Sequence, residues 1–282
     1  MSLNDKVALN DGVEMPWVGL GVYLTHEGSE VENSVRWALE AGYRLVDTAM
    51  IYHNEAGVGK AVRESGIPRE QVFVTTKLWN ADHGYNSTIH ACEQSLKTLN
   101  MDYIDLYLIH WPGLNRDNRL ATWEAMLELK AKQKVLSVGV SNFRPHHIDE
   151  LIQAHGVIPS VDQVELHPFN AQKELRQYAK DKGIMVTAWG PIFHGHLSEA
   201  PEMISAIGEK HGKTAAQVVL RWHLQHGIAI IPKSVKQHRI IENADLFDFV
   251  LSDDEMAAID GLNRDKGYGS NPEKMTFGFV NI

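Results

Sequence analysis

The chain reads as an α/β protein, a single (β/α)8 barrel over residues 1–282 with a β-hairpin at its N-terminus. Three observations predict it. Eight short, near-continuously apolar runs alternate with amphipathic stretches, as expected of parallel strands covered on both faces. No linker or low-complexity segment interrupts the alternation. The competing open sheet needs a nucleotide fingerprint after its first strand, and none is present.

The elements follow in order. Lys6–Leu9 and Val13–Pro16 flank Asn10-Asp11-Gly12, where glycine suits a tight hairpin turn. The barrel strands are placed at 17–22, 44–48, 72–76, 104–110, 136–140, 161–166, 184–189 and 228–232. Between them the apolar period changes to that of helices. Val31, Val35, Ala38 and Leu39 form one face, Ile89, Cys92, Leu96 and Leu99 another, and Leu120, Trp123 and Leu127 a third. Capping boxes are expected at Ser29/Glu32, Thr214/Gln217 and Ser252/Glu255, and helix-ending glycines at Gly42 and Gly183. Gly57-Val58-Gly59-Lys60 has no strand before it and no Ser or Thr after it, so it is not a phosphate loop.

Composition narrows the function. The 282 residues are 44% hydrophobic with a net charge of -9, which argues against nucleic acid as the main partner. One cysteine, Cys92, excludes an intramolecular disulfide framework and a cysteine zinc cluster. The first residues lack the apolar core of a signal peptide, and no run approaches a membrane span. The expectation is a cytoplasmic monomer with a small-molecule substrate.

In such barrels the chemistry gathers at the C-terminal ends of the strands. Those ends carry Asp47, Lys77, His110, Ser141 with Asn142, Gln163, Trp189 and Lys233 with Ser234. Asp47 and Lys77, on adjacent strands, form a natural buried ion pair. Tyr52, in the loop after Asp47, can approach Lys77; the cation is expected to lower the tyrosine pKa and make it a proton donor. His110 can hydrogen-bond a substrate oxygen. The set has no nucleophile–base pair and no clear metal cage. It suits protonation of a carbonyl oxygen while hydride arrives from a cofactor. Lys233, Ser234, Lys236 and Arg239 supply an anion site after the last strand, and Arg239 suits the 2′-phosphate of NADP. Trp189 is placed to stack on a nicotinamide, with Ser141, Asn142 and Gln163 near its carboxamide.

These residues lie in DTAMIYHNEAGVG, TTKLWN, DYIDLYLIHWP, GVSNF, QVELHP, AWGP and IPKSVKQHRIIEN, in that order. The series resembles the aldo-keto reductases along the whole chain, in the branch of the 2,5-diketo-gluconate reductases and protozoal prostaglandin F synthases. The resemblance implies a catalytic tetrad of Asp47, Tyr52, Lys77 and His110, with Tyr52 as general acid, and NADPH as cofactor. It places nicotinamide on Ser141, Asn142, Gln163 and Trp189, and the adenosine phosphate end on Lys233, Ser234, Val235, Arg239, Glu242 and Asn243. Substrate would meet Tyr23, Trp79 and Trp111. Glu165 and His167 are assigned structural roles. Three departures stand out: Gly190 for the usual serine, Asp162 for the usual asparagine, and Phe193-His194-Gly195-His196 for the usual LGQG. Asp162 is expected to add negative charge near the cofactor if it points inward. Two other readings are weighed. A metal-dependent hydrolase would draw on His146-His147 or His194 and His196, but two histidines rarely make a site without a carboxylate. A non-enzymatic NADPH-binding barrel would have no need of Tyr52 beside Lys77.

Overall fold

A computed structural model of the chain describes residues 1–278. Two strands, β1 (Lys6–Ala8) and β2 (Glu14–Pro16), pair antiparallel with Lys6 opposite Pro16. Eight more form one sheet in sequence order: β3 (Leu20–Gly21), β4 (Leu45–Asp47), β5 (Phe73–Leu78), β6 (Ile104–Ile109), β7 (Val135–Ser141), β8 (Val161–Glu165), β9 (Met185–Trp189) and β10 (Ala229–Ile230). All neighbours are parallel. Bridges Val18–Ile230 and Gly21–Lys233 join the two ends, so the sheet closes into a barrel. The first and last strands are shorter than the apolar runs suggest, because closure there uses isolated bridges rather than a continuous ladder.

Helices α1 (Ser29–Glu40), α2 (Glu55–Glu64), α3 (Tyr85–Leu99), α4 (Arg116–Ala131), α5 (Pro145–His155) and α6 (Lys173–Lys182) follow successive strands. Then come α7 (Glu202–His211), α8 (Ala215–Gln225), α9 (Gln237–Glu242) and α10 (Asp253–Asp260). The α1 face of Val31, Val35, Ala38 and Leu39 is buried as expected. On the other two predicted faces Cys92, Leu96, Leu99 and Trp123 are buried, while Ile89, Leu120 and Leu127 pack half-buried against the core. Thr214 and Ser252 form the expected capping boxes. Ser29 does not: Gly28 is the N-cap of α1, and Ser29 already lies inside the helix. Its spacing to Glu32 fits a cap, but the chain begins the helix one residue earlier. Gly42 and Gly183 follow their helices with φ of 100° and 70°, as a left-handed stop requires. The Gly57–Gly59 pair is a packing device on α2. A Cβ on Gly59 would lie 2.0 Å from the carbonyl oxygen of Leu99, so only glycine lets α2 approach the end of α3.

Period-two alternation sorts the strand side chains into two cores. Outward residues such as Val46, Val74, Tyr107, Val140, Val164 and Ala188 join the layer beneath the helices. Inward residues Leu45, Phe73, Leu106, Leu108, Val161 and Ala229 fill the barrel, together with Leu9 and Met15 of the hairpin. The hairpin thus plugs the N-terminal end. Asp11 fastens it, accepting from Lys130 Nζ at 2.5 Å and Ser137 Oγ at 2.8 Å. At the other end the same inward column becomes polar: Asp47 above Leu45, Lys77 above Phe73, and Gln163 above Val161.

Candidate active site

The polar mouth opens into a cleft of about 1570 Å³. That exceeds the ~300–1,000 Å³ of ordinary ligand pockets and leaves room for a large ligand and a second, smaller one. At its centre the Lys77 ammonium donates to Asp47 Oδ1 at 2.5 Å and to the Thr48 carbonyl at 2.8 Å. Gln163 Nε2 donates to the other Asp47 oxygen at 2.7 Å. Both charges are almost fully buried. Burial raises the Asp47 carboxyl and lowers the Lys77 ammonium, and their mutual attraction pulls each back toward its charged form. Lys77 lies behind the wall of the cleft, whereas Asp47 reaches its lining.

Tyr52 ends a short 3-10 turn, Met50–Tyr52, that follows β4. The turn brings its ring over Lys77 Nζ, 5.1 Å from the centroid. His110 meets the ring edge-on at 5.7 Å, and Tyr23 packs on it at 5.0 Å. The expected lowering of the phenol does not occur. Burial pushes it well above its usual value, and Asp47 and Tyr23 push the same way. The reason is geometric: the charge of Lys77 is engaged by Asp47 and Thr48, while the phenol is buried between Tyr23 and His110. His110 moves oppositely. Burial, then Lys77, holds it well below its usual value, so the imidazole is neutral at pH 7. Its Nδ1 is buried without a hydrogen-bond partner among the described residues, which leaves the other ring nitrogen to face the cleft.

Beside this group, Ser141, Asn142, Gln163 and Trp189 form one network. Ser141 Oγ donates to the Gln163 carbonyl at 2.7 Å. Asn142 Nδ2 donates to the His110 carbonyl at 3.0 Å, and Trp189 Nε1 donates to Asn142 Oδ1 at 2.9 Å. Asn142 adopts φ 62°, a left-handed conformation that asparagine tolerates better than most residues. Farther along the cleft, Lys233, Ser234, Arg239, Glu242 and Asn243 line one arm. Val235 and Lys236 are not among the residues that line it. Tyr23, Trp79 and Trp111 line the mouth as expected.

Glu165 and His167 act as an anchor. Glu165 accepts from the Tyr268 and Gly269 backbone at 2.6 and 2.9 Å and pairs with His167 at 3.1 Å, which holds the C-terminal segment across the barrel. Asp162 does not face the cleft. Strand alternation turns it outward, where it accepts one 3.4 Å bond from Phe143 N and its other oxygen has no partner among the described residues. Burial raises its carboxyl well above the usual range, so it adds no charge to the cleft. Gly190 has φ 59°, and His194 packs over it: a Cβ there would lie 3.3 Å from the His194 Cβ. His194 also meets Trp189 edge-on at 5.3 Å and lines the cleft. His146, His147 and Glu273 do converge, but Arg144 N donates to His147 Nδ1. That leaves the proton on Nε2, the nitrogen a metal would need.

Lining residues to which the sequence assigned no cofactor or substrate contact include His194, Tyr268 and Phe277. Phe277 packs on Trp79 at 6.0 Å, and its carbonyl accepts from Asn80 Nδ2 at 2.8 Å. It lies in a tail with no periodic signal. Departure of residues 193–196 from the familiar pattern was the one available sign of His194.

The family model described as "Aldo/keto reductase family" matches residues 19–264. A glyoxal reductase of Bacillus subtilis is 52% identical over 98% of this chain and 99% of its own length. A 9,11-endoperoxide prostaglandin H2 reductase of Trypanosoma cruzi is 49% identical over 95% of this chain and 94% of its own. The crystal structure of a Bombyx mori aldo-keto reductase in complex with NADP superposes with a TM-score of 0.86, at 37% identity, covering 93% of each chain. With a closed barrel, a polar mouth and these relatives, the chain belongs to the aldo/keto reductase family and is an oxidoreductase acting on carbonyl and alcohol groups.

Proposed function

We propose that the chain reduces aldehydes, dicarbonyls or ketones to alcohols, using NADPH as the electron donor and Tyr52 as the proton donor. The observation that carries this reading is the placement of the Tyr52 phenol over Lys77 and beside a neutral His110 at the wall of one long cleft. When bound, NADPH supplies the hydride that the carbonyl carbon receives. Ser141, Asn142, Gln163 and Trp189 would hold its nicotinamide end. Their mutual bonds already orient them, and the Gln163 side-chain oxygen is left without a donor among the described residues. Lys233, Ser234, Arg239, Glu242 and Asn243 would hold the adenosine phosphate end. Arg239 has no ion pair among the described residues, so its planar fork is available to a phosphate.

The chain's own residues then do the acid chemistry. Neutral His110 donates a hydrogen bond that positions the carbonyl oxygen. Tyr52, kept protonated by burial, delivers its proton to that oxygen. The nearby Lys77 charge favours the phenolate as it forms, and Asp47 with Gln163 fixes Lys77 in place. Tyr23, Trp79, Trp111 and Phe277 give the substrate end apolar walls, which suit small or aromatic carbonyl compounds. The glyoxal reductase among its relatives makes a small dicarbonyl the first compound to try.

The test is NADPH consumption with a panel of dicarbonyls, aldehydes and ketones, repeated with NADH and with Tyr52→Phe. Turnover in the wild type should fall about 10²–10⁴-fold in the variant, the usual contribution of a general acid. Undiminished turnover in folded Tyr52→Phe protein would refute the proton-donor role.

A further inference from the structure

A second cavity, of about 740 Å³, lies at the opposite end of the barrel from the cleft. Its floor is apolar and built from buried Leu9, Ile184, Val186 and Ile228. Its rim is cationic. Lys173, Arg176 and Lys180 project from α6 at spacings of three and four residues, which puts them on one helix face. The concentration of positive charge runs against the net charge of -9.

Among the described residues these cations have no ion pair. Among the described residues, neither Lys173 nor Lys180 has an ion pair or a side-chain hydrogen bond, although carboxylates pair with lysines elsewhere on the surface. Arg176 is the telling case. It is half-buried, with its guanidinium 5.9 Å above the Trp222 ring. A guanidinium carries five N–H donors, yet among the described residues the one side-chain bond Arg176 makes is a 3.4 Å contact from Nη1 to the Ala171 carbonyl. Asp260 also lines the cavity and its charge favours the Arg176 cation, but its Oδ1 is taken by Trp222 Nε1 and His226 Nε2, both at 2.8 Å, and among the described residues it makes no ion pair with Arg176. A partly desolvated fork with idle donors beside an apolar floor is a receptor for a charged head on an apolar body.

We propose that this closed-end cavity binds a small amphipathic organic anion, with its carboxylate, sulfonate or phosphate on Arg176, Lys173 and Lys180 and its apolar part against Leu9, Ile184 and Ile228. The site is separate from the cleft at the mouth and does not depend on the reaction assigned there. Its position also differs from the usual functional end of such barrels, whose N-terminal face ordinarily serves stability.

Anilinonaphthalene sulfonate and its neutral relative phenylnaphthylamine probe it, because they share an aromatic body and differ in the anionic head. Fluorescence titration of the full chain should show one equivalent of the sulfonate bound about tenfold more tightly than the neutral dye, roughly the worth of one charge-assisted hydrogen bond. Added NADPH should not displace it. Lys173→Gln/Arg176→Gln/Lys180→Gln should bring the two dyes to equal affinity. Lys173→Gln/Lys180→Gln alters exposed side chains only, and should produce part of that loss if the triple variant fails to fold. Equal affinity of the two dyes for the wild type, displacement by NADPH, or sulfonate binding unchanged in the charge-removed variants would each overturn the proposal.

Discussion

The two ends of the barrel interior are built from the same strands and make opposite use of them. At the floor, Leu45, Phe73, Leu106 and Val161 bury apolar surface against Leu9 and Met15 of the hairpin. At the mouth, two to four residues farther along, the inward positions are Asp47, Lys77, His110 and Gln163. The floor gains stability from burial alone. The mouth holds a desolvated ion pair, whose attraction offsets only part of its burial cost. The costly polar group therefore sits at the mouth, above a floor whose apolar packing supplies stability.

The sharpest test of that division is Lys77→Met. It leaves Asp47 buried without its cation, and the expected loss is about 3–5 kcal/mol of stability together with collapse of turnover. Adding Asp47→Leu should restore much of the stability, because an apolar pair of similar size avoids the desolvation cost, while turnover stays lost. Urea melts and NADPH-linked assays on the same samples read both. If the double variant recovered activity, the pair would be scaffolding and not part of the chemistry. At the floor, Met15→Ala should cost about 2–5 kcal/mol by opening a cavity. The kcat per folded molecule should stay within about twofold, because Met15 touches no part of the cleft and surface-distant changes add independently. A large drop in kcat at constant folded fraction would show that floor and mouth are coupled.

Asp162 and Gln163 bring the comparison down to adjacent residues. Gln163 faces the mouth and braces Asp47; Asp162 faces the helix layer near Arg144 and Tyr178 and has one weak bond. Its folded pKa is raised, so the folded protein holds a proton that the unfolded chain has released above about pH 4. Stability from this group is thus present at low pH and lost as pH rises. Asp162→Asn should stabilise by about 1–3 kcal/mol at pH 7, the range for a poorly satisfied buried polar group, and by little at pH 4. The histidines work in the other direction. Burial holds His147 to about 3 and His223 to about 4, so stability is complete above about pH 6.5 and declines as the unfolded chain takes up protons below it. Thermal melts between pH 4 and 7 should therefore fall more steeply toward acid in Asp162→Asn than in the wild type. Parallel profiles would show that Asp162 is ionised in the folded state.

That pair also shows how far the sequence could be read. Apolar runs located all eight barrel strands, because a parallel sheet covered on both faces leaves little choice of residue. The meeting of Asp47, Tyr52, Lys77 and His110 at the mouth was legible because each ends or follows a strand, and strand ends are countable. The direction of Asp162 was left open, although strand alternation decides it: if Gln163 points in, its neighbour must point out. The rise in the Tyr52 pKa was not legible, because it depends first on how completely the phenol is buried and then on how near Asp47 and Tyr23 lie, which is a matter of ångströms. Phe277 and His194 belong to loops, whose course is fixed by contacts such as Asn80 with Phe277 and not by period.

The smallest expected effect separates two signals that look the same in sequence and differ in structure. Ser29/Glu32 and Ser252/Glu255 have the same spacing, yet only Ser252 caps its helix, its Oγ accepting from Glu255 N at 3.3 Å while the Glu255 carboxylate accepts from Ser252 N at 3.0 Å. Both lie away from floor and mouth, so neither change should alter turnover. Ser252→Ala should cost about 1 kcal/mol, the usual worth of an N-cap. Ser29→Ala, inside the first turn of α1, should change stability by no more than about 0.5 kcal/mol and can even raise it, since alanine is the better helix former. Urea midpoints of the two variants decide the matter. Equal losses would mean that α1 shifts its start by one residue in solution and that Ser29 caps it after all. A clear difference would mean that Gly28 sets the boundary, and that a capping spacing becomes a cap only when the backbone before it leaves the helix at that serine.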